Sequence, residues 1–391
     1  MTQTDNITSP RAIVIGGSLG GLFAGTMLRK AGWIVDIFER STHDLDSRGG
    51  GVVLQPDVVQ VFREVGIKIS KMNLGVPSKD RVVYSKDGTV VDRRAAPQIQ
   101  TSWSLIYTTL KEVFGDEHYH RGRVLKDIEQ DRDAKTVTAI FDDGSRETGD
   151  LLVGADGNGS TVRQLIWPQS KPTYAGYLAW RGLIPEDGLT PAAKEGLSGD
   201  FGFSNTTGSH ILGYLVPGEH NATSVGERIY NWVWYRVAND ETLRSIMTDK
   251  DGKYRGFSMP EGKLSEHWKE HVYREADELL PRPFREAVRS THEPFGQAIR
   301  DLTVPSMVDG RVVLLGDAAF IPRPHTAAST SKAAANAISL YDTLTSVPND
   351  IDEALARWEP RQLYLGKVLY EQGTRAGDSL LFRRDLNERV G

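Results

Sequence analysis

The chain contains 391 residues with a formal net charge of −5, and 39% of them are hydrophobic and 25% charged. This length favours two closely packed domains over one simple core. The mild negative charge, and the lack of a basic cluster interleaved with aromatic residues, argue against a nucleic-acid partner. The sequence has no cysteine. This excludes disulfides, a thiol nucleophile, cysteine-ligated metals and a cysteinyl link to a cofactor.

The N-terminus is polar and lacks the basic and apolar regions of a secretory signal. No apolar run in the sequence is long enough to span a membrane. We therefore expect a cytoplasmic protein that does not bind membranes, and no metal site is predicted.

Residues 11–40 predict a strand, a glycine-rich turn, a helix and a second strand. The apolar run Ala12–Ile15 precedes the turn Gly16–Gly21, and Ile34–Phe38 forms the second strand. Glu39 ends that strand 18 residues after the turn, close to where a ribose-binding acid belongs. A dinucleotide could then place its pyrophosphate at the helix N-terminus, where free amides and the helix dipole favour negative charge.

The glycine turn departs from the usual three-glycine pattern, because Ser18 replaces the middle glycine. Ser18 must therefore adopt an ordinary φ angle or use its hydroxyl as a phosphate donor. The alternative is a purely structural turn, which the flanking strands and terminal acid make less attractive. The turn residues predicted to bind the dinucleotide are Gly16, Gly17, Ser18, Leu19 and Gly21.

Further elements follow from the hydrophobic patterns of the sequence. Predicted helices are Asp57–Val65, Ser104–Phe114, Glu241–Met247, Glu275–Arg289, Ala327–Thr345 and Asp352–Gln372. Predicted strands are Arg81–Tyr84 and Thr89–Val91 as a hairpin, Thr136–Phe141 and Leu151–Val153 as a hairpin-like unit, Ile211–Val216, Tyr230–Val237 and Arg311–Leu315. The aromatic-rich region from about Thr173 to Gln297 predicts a β-sheet with one buried face.

Two more motifs complete the pattern: Asp156-Gly157-x-x-Ser160-x-Val162-Arg163, and Gly316-Asp317 after a strand. With the glycine turn, they resemble the FAD-dependent aromatic-ring hydroxylases, the single-component flavoprotein monooxygenases with the para-hydroxybenzoate hydroxylase fold. The resemblance covers nearly the whole chain in the right order. Residues 173–182 and the Arg323-Pro324-His325 turn most resemble the branch of 2,6-dihydroxypyridine 3-hydroxylases and allied N-heteroaromatic hydroxylases.

The resemblance implies a mixed α/β fold, in which a Rossmann-like FAD-binding βαβ domain interleaves with an aromatic-rich β-sheet substrate domain and a C-terminal helix follows. The FAD-binding domain would be discontinuous, over residues 1–172 and 298–391. The substrate domain would cover residues 173–297, and the hairpin at 81–100 could adjoin it. The C-terminal helix could also pack against a partner subunit in a homodimer.

In this family the aspartate at Asp317 accepts from a hydroxyl of the FAD ribityl chain, and the motif containing Asp156 and Arg163 lies beneath the cofactor. Other roles remain open, since Asp156 could cap its own turn or pair with Arg163, and Asp317 could cap a helix. The turn after Asp317 would surround the flavin pyrimidine with amides, although Ala327 and Ser329 replace the usual glycines. The remaining residues that the resemblance predicts to bind FAD are Val53, Val124, Pro324, Thr326 and Ala328.

A second departure from the family concerns the phosphate charge of FAD. Relatives commonly place an arginine near the start of the helix that here follows Trp103. Because this chain has a tryptophan there, we expect Arg40, Arg48 or Arg123 to meet the phosphates instead.

The resemblance further implies non-covalent FAD, NAD(P)H as co-substrate, and O2 that forms a C4a-hydroperoxyflavin. This species would hydroxylate an electron-rich, hydroxylated aromatic or N-heteroaromatic ring, such as a pyridine diol. The alternatives are an FAD-containing NAD(P)H oxidase or flavin carrier without ring hydroxylation, and an NAD(P)-dependent dehydrogenase. A flavin halogenase is disfavoured, because its Trp-x-Trp-x-Ile-Pro motif is missing.

Four residues are candidates for contact with a hydroxylated substrate. His210 and Tyr214 share one face of a predicted strand by parity, and they could bind or deprotonate the ring, or form a satisfied core pair. His325 lies beside the flavin turn, with a structural bond to backbone as its alternative. Arg181 could bind substrate or cofactor at the end of a strand under the flavin, or act only as a surface partner.

Overall fold

The computed structural model describes residues 9–45 and 50–382, and no helix in these ranges is long and apolar enough to cross a membrane. The strands, numbered in chain order, are β1 (Arg11–Ile15), β2 (Ile34–Glu39), β3 (Gly51–Val53), β4 (Val76–Tyr84), β5 (Val90–Ser102), β6 (Tyr119–Arg121), β7 (Leu125–Asp131), β8 (Thr136–Phe141), β9 (Arg146–Gly149), β10 (Leu151–Gly154), β11 (Thr173–Pro185), β12 (Phe201–Thr206), β13 (Ser209–Val216), β14 (Ile229–Val237), β15 (Ser258–Met259), β16 (Phe295–Asp301), β17 (Val308–Asp309) and β18 (Val312–Leu314). The α-helices are α1 (Leu19–Lys30), α2 (Pro56–Glu64), α3 (Trp103–Phe114), α4 (Thr161–Ile166), α5 (Pro191–Leu197), α6 (Asp240–Ile246), α7 (Glu266–Leu279), α8 (Arg282–Arg289), α9 (Ser329–Ser346) and α10 (Ile351–Phe382).

A six-stranded sheet in the order β17-β18-β10-β1-β2-β6 forms the first half of the molecule. All its neighbouring strands run parallel except the β17–β18 pair, and β1, α1 and β2 confirm the predicted βαβ unit. Ile15 pairs with Gly154, and Gly154 pairs with Leu314. The loops after β1, β10 and β18 therefore meet at the carboxyl edge of the sheet, which is where open parallel sheets bind ligands.

A nine-stranded sheet contains the aromatic-rich region, in the order β15-β16-β11-β14-β13-β12-β4-β5-β3. The predicted hairpin turn around residues 86–88 is present, but its strands are longer than predicted. Since β4 pairs with β12, this hairpin extends the sheet. The division of the chain into domains stays a prediction.

The nine-stranded sheet is buried on both faces along β13 and β14, although the sequence predicts one buried face. On one face, Trp232 and Trp234 form a core with helices α5 to α8. On the other face, Tyr177 and Tyr235 pack with Leu381 of α10. A pattern of alternating residues cannot show this second covering layer, because the layer comes from a distant part of the chain.

Three local predictions need correction. The helix predicted over Glu275–Arg289 is interrupted between α7 and α8, where Pro281 cannot continue a helix. Leu151–Val153 does not pair with β8. It is a fully buried strand of the six-stranded sheet, and β9 is the partner of β8. Arg181 lies within β11 rather than at the end of a strand.

A buried ion-pair cluster joins three segments of the fold. Arg323, in the turn after β18, bonds both carboxylate oxygens of Asp301 at the end of β16, and its Nη1 lies 2.8 Å from Asp378 Oδ1 on α10. The helix comes this close because Gly373 has no side chain, and a Cβ there would lie 2.8 Å from the Arg323 nitrogen. The cluster therefore fixes the turn that carries His325 against the C-terminal helix.

We predict that Arg323→Met lowers the free energy of unfolding by about 3–5 kcal/mol, because two buried carboxylates lose their cation. Urea denaturation of the apoprotein, followed by circular dichroism, measures this loss. Arg357→Met is the matched control, since Arg357 pairs with Glu353 in solvent and such pairs contribute less than about 1 kcal/mol. Equal losses in the two variants would contradict the proposed structural role of the cluster.

Candidate FAD and substrate site

A cleft of about 480 Å³ opens at the carboxyl edge of the six-stranded sheet. It brings together the glycine turn, the loop after β10 and the Gly316-Asp317 loop. The predicted cofactor residues that line it are Gly16, Ser18, Leu19, Glu39, Arg40, Val124, Asp156, Asp317 and Ser329. Lining residues that the sequence analysis missed include Gly20, Leu45, Thr161, Gln297 and Thr330.

The glycine turn has the backbone geometry of a phosphate-binding turn. Gly16 adopts φ +102°, and a Cβ on Gly17 would lie 2.1 Å from the Tyr119 hydroxyl. Ser18 has φ −76° and precedes α1 without a side-chain cap, and no acid lies in the first turn of α1. The helix amides are therefore free for an anion, and Ser18 needs no unusual backbone angle.

Charged residues line the cleft beside this turn. Glu39 is buried, and its two oxygens accept hydrogen bonds from the amides of Gly17 and Ser41, each at 2.8 Å. These bonds fix the carboxylate at the cleft wall. Arg40 and Arg123 also line the cleft and bring positive charge to it, whereas Arg48 lies outside the described residues.

The Asp156 motif is held by its own hydrogen bonds. Asp156 accepts from the Ser160 hydroxyl and from the amides of Thr161 and Val162, so it caps its own turn while it lines the cleft. Burial raises the pKa of Asp156, and these hydrogen bonds oppose the rise. Arg163 makes no ion pair with Asp156 among the described residues.

Arg163 instead donates to three carbonyl oxygens, those of Asn158, Ser170 and Ala318, and it is 1% exposed. It does not line the cleft. Its bond to Ala318 is 3.0 Å long and ties the Asp156 loop to the Gly316-Asp317 loop. Arg163 therefore stabilises the two loops that line the cleft without lining the cleft itself.

Asp317 does not cap α9, whose N-cap is Ala328. Its Oδ1 accepts from Lys332 Nζ at 2.9 Å and from the Ser329 hydroxyl at 3.0 Å. No described residue donates to its Oδ2, and the side chain is 34% exposed at the cleft. One carboxylate oxygen is therefore held by protein, and the other is available to a ligand. The sequence analysis did not identify Lys332.

The turn before α9 tolerates the missing glycines at a cost in backbone strain. Pro324–Thr326 forms a 3-10 turn, and Ala327 adopts φ 52° in the left-handed region. An alanine there costs about 1–2 kcal/mol relative to ordinary backbone angles. Pro324, Thr326, Ala327 and Ala328 do not line the cleft.

Four side chains form an aromatic cluster on the sheet face opposite the tryptophans: Tyr177, His210, Tyr235 and His325. His325 Nε2 lies 2.9 Å from the Tyr177 hydroxyl, and its ring centroid lies 4.7 Å from that of Tyr235. The ring of His210 is stacked with that of Tyr235 at 5.8 Å. His210 and His325 are therefore brought together, as are two tyrosines that sequence reasoning had left unassigned.

Both histidines of the aromatic cluster are uncharged at neutral pH. Burial lowers the pKa of His210 to about 4. Burial, with smaller contributions from His210 and Arg323, lowers the pKa of His325 to about 3. The cluster therefore contains uncharged hydrogen-bonding groups and no positive charge on its histidines at neutral pH.

The remaining predicted site residues are spread around the cluster and the cleft. Tyr214 is buried against Phe201 on the cluster's side of the sheet, 4.8 Å between ring centroids. Arg181 lines the cleft, and its buried Nε has no hydrogen-bond partner among the described residues.

Gly17 and Gly21 support the turn without lining the cleft. Val53 lines a separate open groove.

This cleft suits FAD by its geometry: free helix amides, nearby arginines, and an available carboxylate oxygen at Asp317. The sequence also matches the family profile "FAD binding domain" over residues 10–180, and "FAD binding domain-like" over residues 174–301. The chain belongs to the FAD-dependent aromatic monooxygenases. Among residues 9–45 and 50–382, no group of three or more His, Asp or Glu could hold a metal ion.

Individual relatives extend this assignment. The chain is 36% identical to 2,6-dihydroxypyridine 3-monooxygenase of Paenarthrobacter nicotinovorans, over 92% of this chain and 90% of the relative. The structure of 2,6-dihydroxypyridine-3-hydroxylase from Arthrobacter nicotinovorans matches with a TM-score of 0.90 at 34% identity, over 98% of this chain and 95% of that chain. The fold also matches a variant of Klebsiella pneumoniae HpxO complexed with FAD, with a TM-score of 0.77 at 21% identity, over 96% of this chain and 91% of that chain.

We predict that Asp317→Ala purifies largely without FAD, because the cleft loses an acceptor, Oδ2 of Asp317, to which no described residue donates. A charged hydrogen bond contributes about 1.5–3 kcal/mol, so the FAD dissociation constant should rise by at least about tenfold. The ratio of flavin to protein absorbance measures occupancy. Asp251→Ala, at an exposed ion pair far along the chain, is the control. Full flavin occupancy in Asp317→Ala would contradict this role.

We also predict that the low pKa of His210 makes the protein sensitive to acid. Between pH 6.5 and 4.5 the His210 imidazole becomes protonated in the unfolded state but stays largely neutral in the folded state. The free energy of unfolding therefore falls as the pH falls. The free energy of unfolding should drop by about 2 kcal/mol more in the native protein than in His210→Gln. Urea denaturation at both pH values measures the difference, and parallel pH profiles would contradict a neutral buried imidazole.

Proposed function

We propose that the protein uses NAD(P)H and O2 to hydroxylate an electron-rich, hydroxylated aromatic or N-heteroaromatic ring of the pyridine-diol type. NAD(P)H supplies two electrons, one oxygen atom converts a ring C–H into C–OH, and the other oxygen leaves as water. FAD, when bound, supplies the oxygen chemistry. The similarity to 2,6-dihydroxypyridine 3-monooxygenase and to the structure of 2,6-dihydroxypyridine-3-hydroxylase supports this substrate class.

The observation that carries the proposal is the pair of uncharged histidines in the aromatic cluster. Asn205 Oδ1 lies 3.0 Å from His210 Nδ1, so this amide oxygen accepts from Nδ1–H. In a neutral imidazole the other nitrogen is then an acceptor, which leaves Nε2 of His210 to accept a hydrogen bond from a ring hydroxyl.

His325 presents the opposite hydrogen-bonding group. Burial raises the pKa of Tyr177, so its hydroxyl stays protonated, and the nearby positive charge of Arg323 opposes the rise. Because the nearby Arg323 charge favours a hydroxyl whose proton points away from it, we infer that Tyr177 donates to His325 Nε2 and that the imidazole proton of His325 resides on Nδ1. The cluster thus offers one acceptor and one donor, with 5.9 Å between the two ring centroids.

A hydroxylated N-heteroaromatic ring carries both complementary groups, a hydroxyl donor and a ring nitrogen or oxo acceptor. His210 polarises the hydroxyl rather than removing its proton outright, because a base whose conjugate acid has a pKa of about 4 is weak. The rings of Tyr235 and Phe203 are stacked with the His210 ring and surround it with apolar surface that excludes water.

The test is a panel of hydroxylated pyridines, benzoates and phenols, assayed with NADH and with NADPH. We expect a hydroxylated pyridine to stimulate NAD(P)H consumption and to yield a product one oxygen atom heavier, with label from ¹⁸O2. Consumption that yields only hydrogen peroxide with every ring would favour the oxidase alternative. Flavin that NAD(P)H does not reduce under any condition would favour the carrier alternative.

We predict that His325→Gln keeps FAD but loses coupling. Without the Nδ1 donor the ring is held less firmly, and one hydrogen bond of about 1–1.5 kcal/mol corresponds to roughly a tenfold loss of product formation. Oxygen consumption, peroxide and product are measured together. His267→Gln, at an exposed histidine on α7, is the control. Unchanged coupling in His325→Gln would exclude the role in ring binding.

A further inference from the structure

Lys332 is a buried cation directly behind the cleft, and neither the motifs nor the proposed reaction account for it. Its side chain is 1% exposed. Its ammonium lies 2.9 Å from Asp317 Oδ1 and also donates to the carbonyl oxygen of Phe320. It is the fourth residue of α9. A cation in the first turn of a helix is opposed by the helix dipole, and burial adds a desolvation cost.

We propose that Lys332 is a positioning residue for FAD binding that acts through Asp317. The ammonium holds Oδ1, and the Ser329 hydroxyl bonds the same oxygen. The carboxylate plane is thereby fixed, and Oδ2 is left without a protein donor among the described residues. Oδ2 is the oxygen that accepts from a sugar hydroxyl of the cofactor.

The anchor to the Phe320 carbonyl extends this role to the loop. Phe320 follows Gly316-Asp317, and its own amide bonds the Gly316 carbonyl. Lys332 therefore joins the start of α9 to both ends of the short turn that carries Asp317. Without the ammonium, Asp317 would be free to change rotamer, and FAD would have to order it on binding at a cost of about 0.5–1.5 kcal/mol for the side chain.

The test compares Lys332→Met, Asp317→Asn and the double variant as apoproteins reconstituted with FAD. Quenching of FAD fluorescence gives the dissociation constant, independent of any enzyme assay. Lys332→Met should bind FAD about tenfold or more weakly, because an oriented charged acceptor is lost. The double variant should bind no more than about twofold more weakly than Asp317→Asn alone, because Lys332 acts through that carboxylate.

Stability separates this role from a purely structural one. Lys332→Met leaves the Phe320 carbonyl without this donor, so it should lower the free energy of unfolding of the apoprotein by up to about 1–3 kcal/mol both alone and in the Asp317→Asn background. Its effect on FAD affinity, in contrast, should nearly disappear in the Asp317→Asn background. Lys367→Met, at an exposed lysine of α10, is the control and should change neither quantity. The proposal is overturned if Lys332→Met binds FAD like the native protein, or if the losses of FAD affinity of the two single variants add fully in the double variant. Since FAD binding is measured directly, the result stands whether or not a pyridine diol proves to be the substrate.

Discussion

The hydrogen bonds of Arg163 hold together two loops on which the cofactor site depends. Its guanidinium donates to Asn158 in its own loop and to Ala318 in a loop 155 residues away. Parallel pairing of β1, β10 and β18 brings these loops to one edge of the sheet. Strand pairing alone does not fix the position of one loop relative to the other. The buried guanidinium supplies that constraint, since each carbonyl that it satisfies would otherwise be a buried polar group at a cost of about 1–3 kcal/mol.

Local sequence patterns were sufficient to predict the βαβ unit, the Asp156 motif and the strand before Asp317. Each depends on residues that are neighbours in the chain, such as the glycines that allow the backbone of the first turn to pass Tyr119. The tyrosines at 177 and 235 could not be assigned, because only the register of β11, β14 and β13 brings them to His210 and His325. The break before α8 was visible as Pro281 and was overlooked.

Lys332 shows a different limit of sequence reasoning. An apolar-faced, alanine-rich helix predicts that a lysine near its start extends into solvent. Its burial depends on Asp317, which lies 15 residues earlier in the chain and accepts a hydrogen bond from the Lys332 ammonium. The glycine turn and Ala327 show the converse case, in which the sequence alone identifies a departure from the family pattern. The structure then shows how the backbone accommodates it, with an ordinary φ angle at Ser18 and a strained, left-handed one at Ala327.

The cleft at the glycine turn and the aromatic cluster differ in their electrostatics. Around the glycine turn, free amides and arginines favour an anion. In the aromatic cluster, burial keeps both histidines neutral, so their hydrogen-bonding roles depend on which ring nitrogen carries the proton. Charge outside the cluster contributes to this choice, because Arg323 lies near Tyr177 and is itself held by Asp301 and by Asp378 of α10, 55 residues further along. A change in α10 can therefore alter the hydrogen bonding of the aromatic cluster without any change to a residue of that cluster.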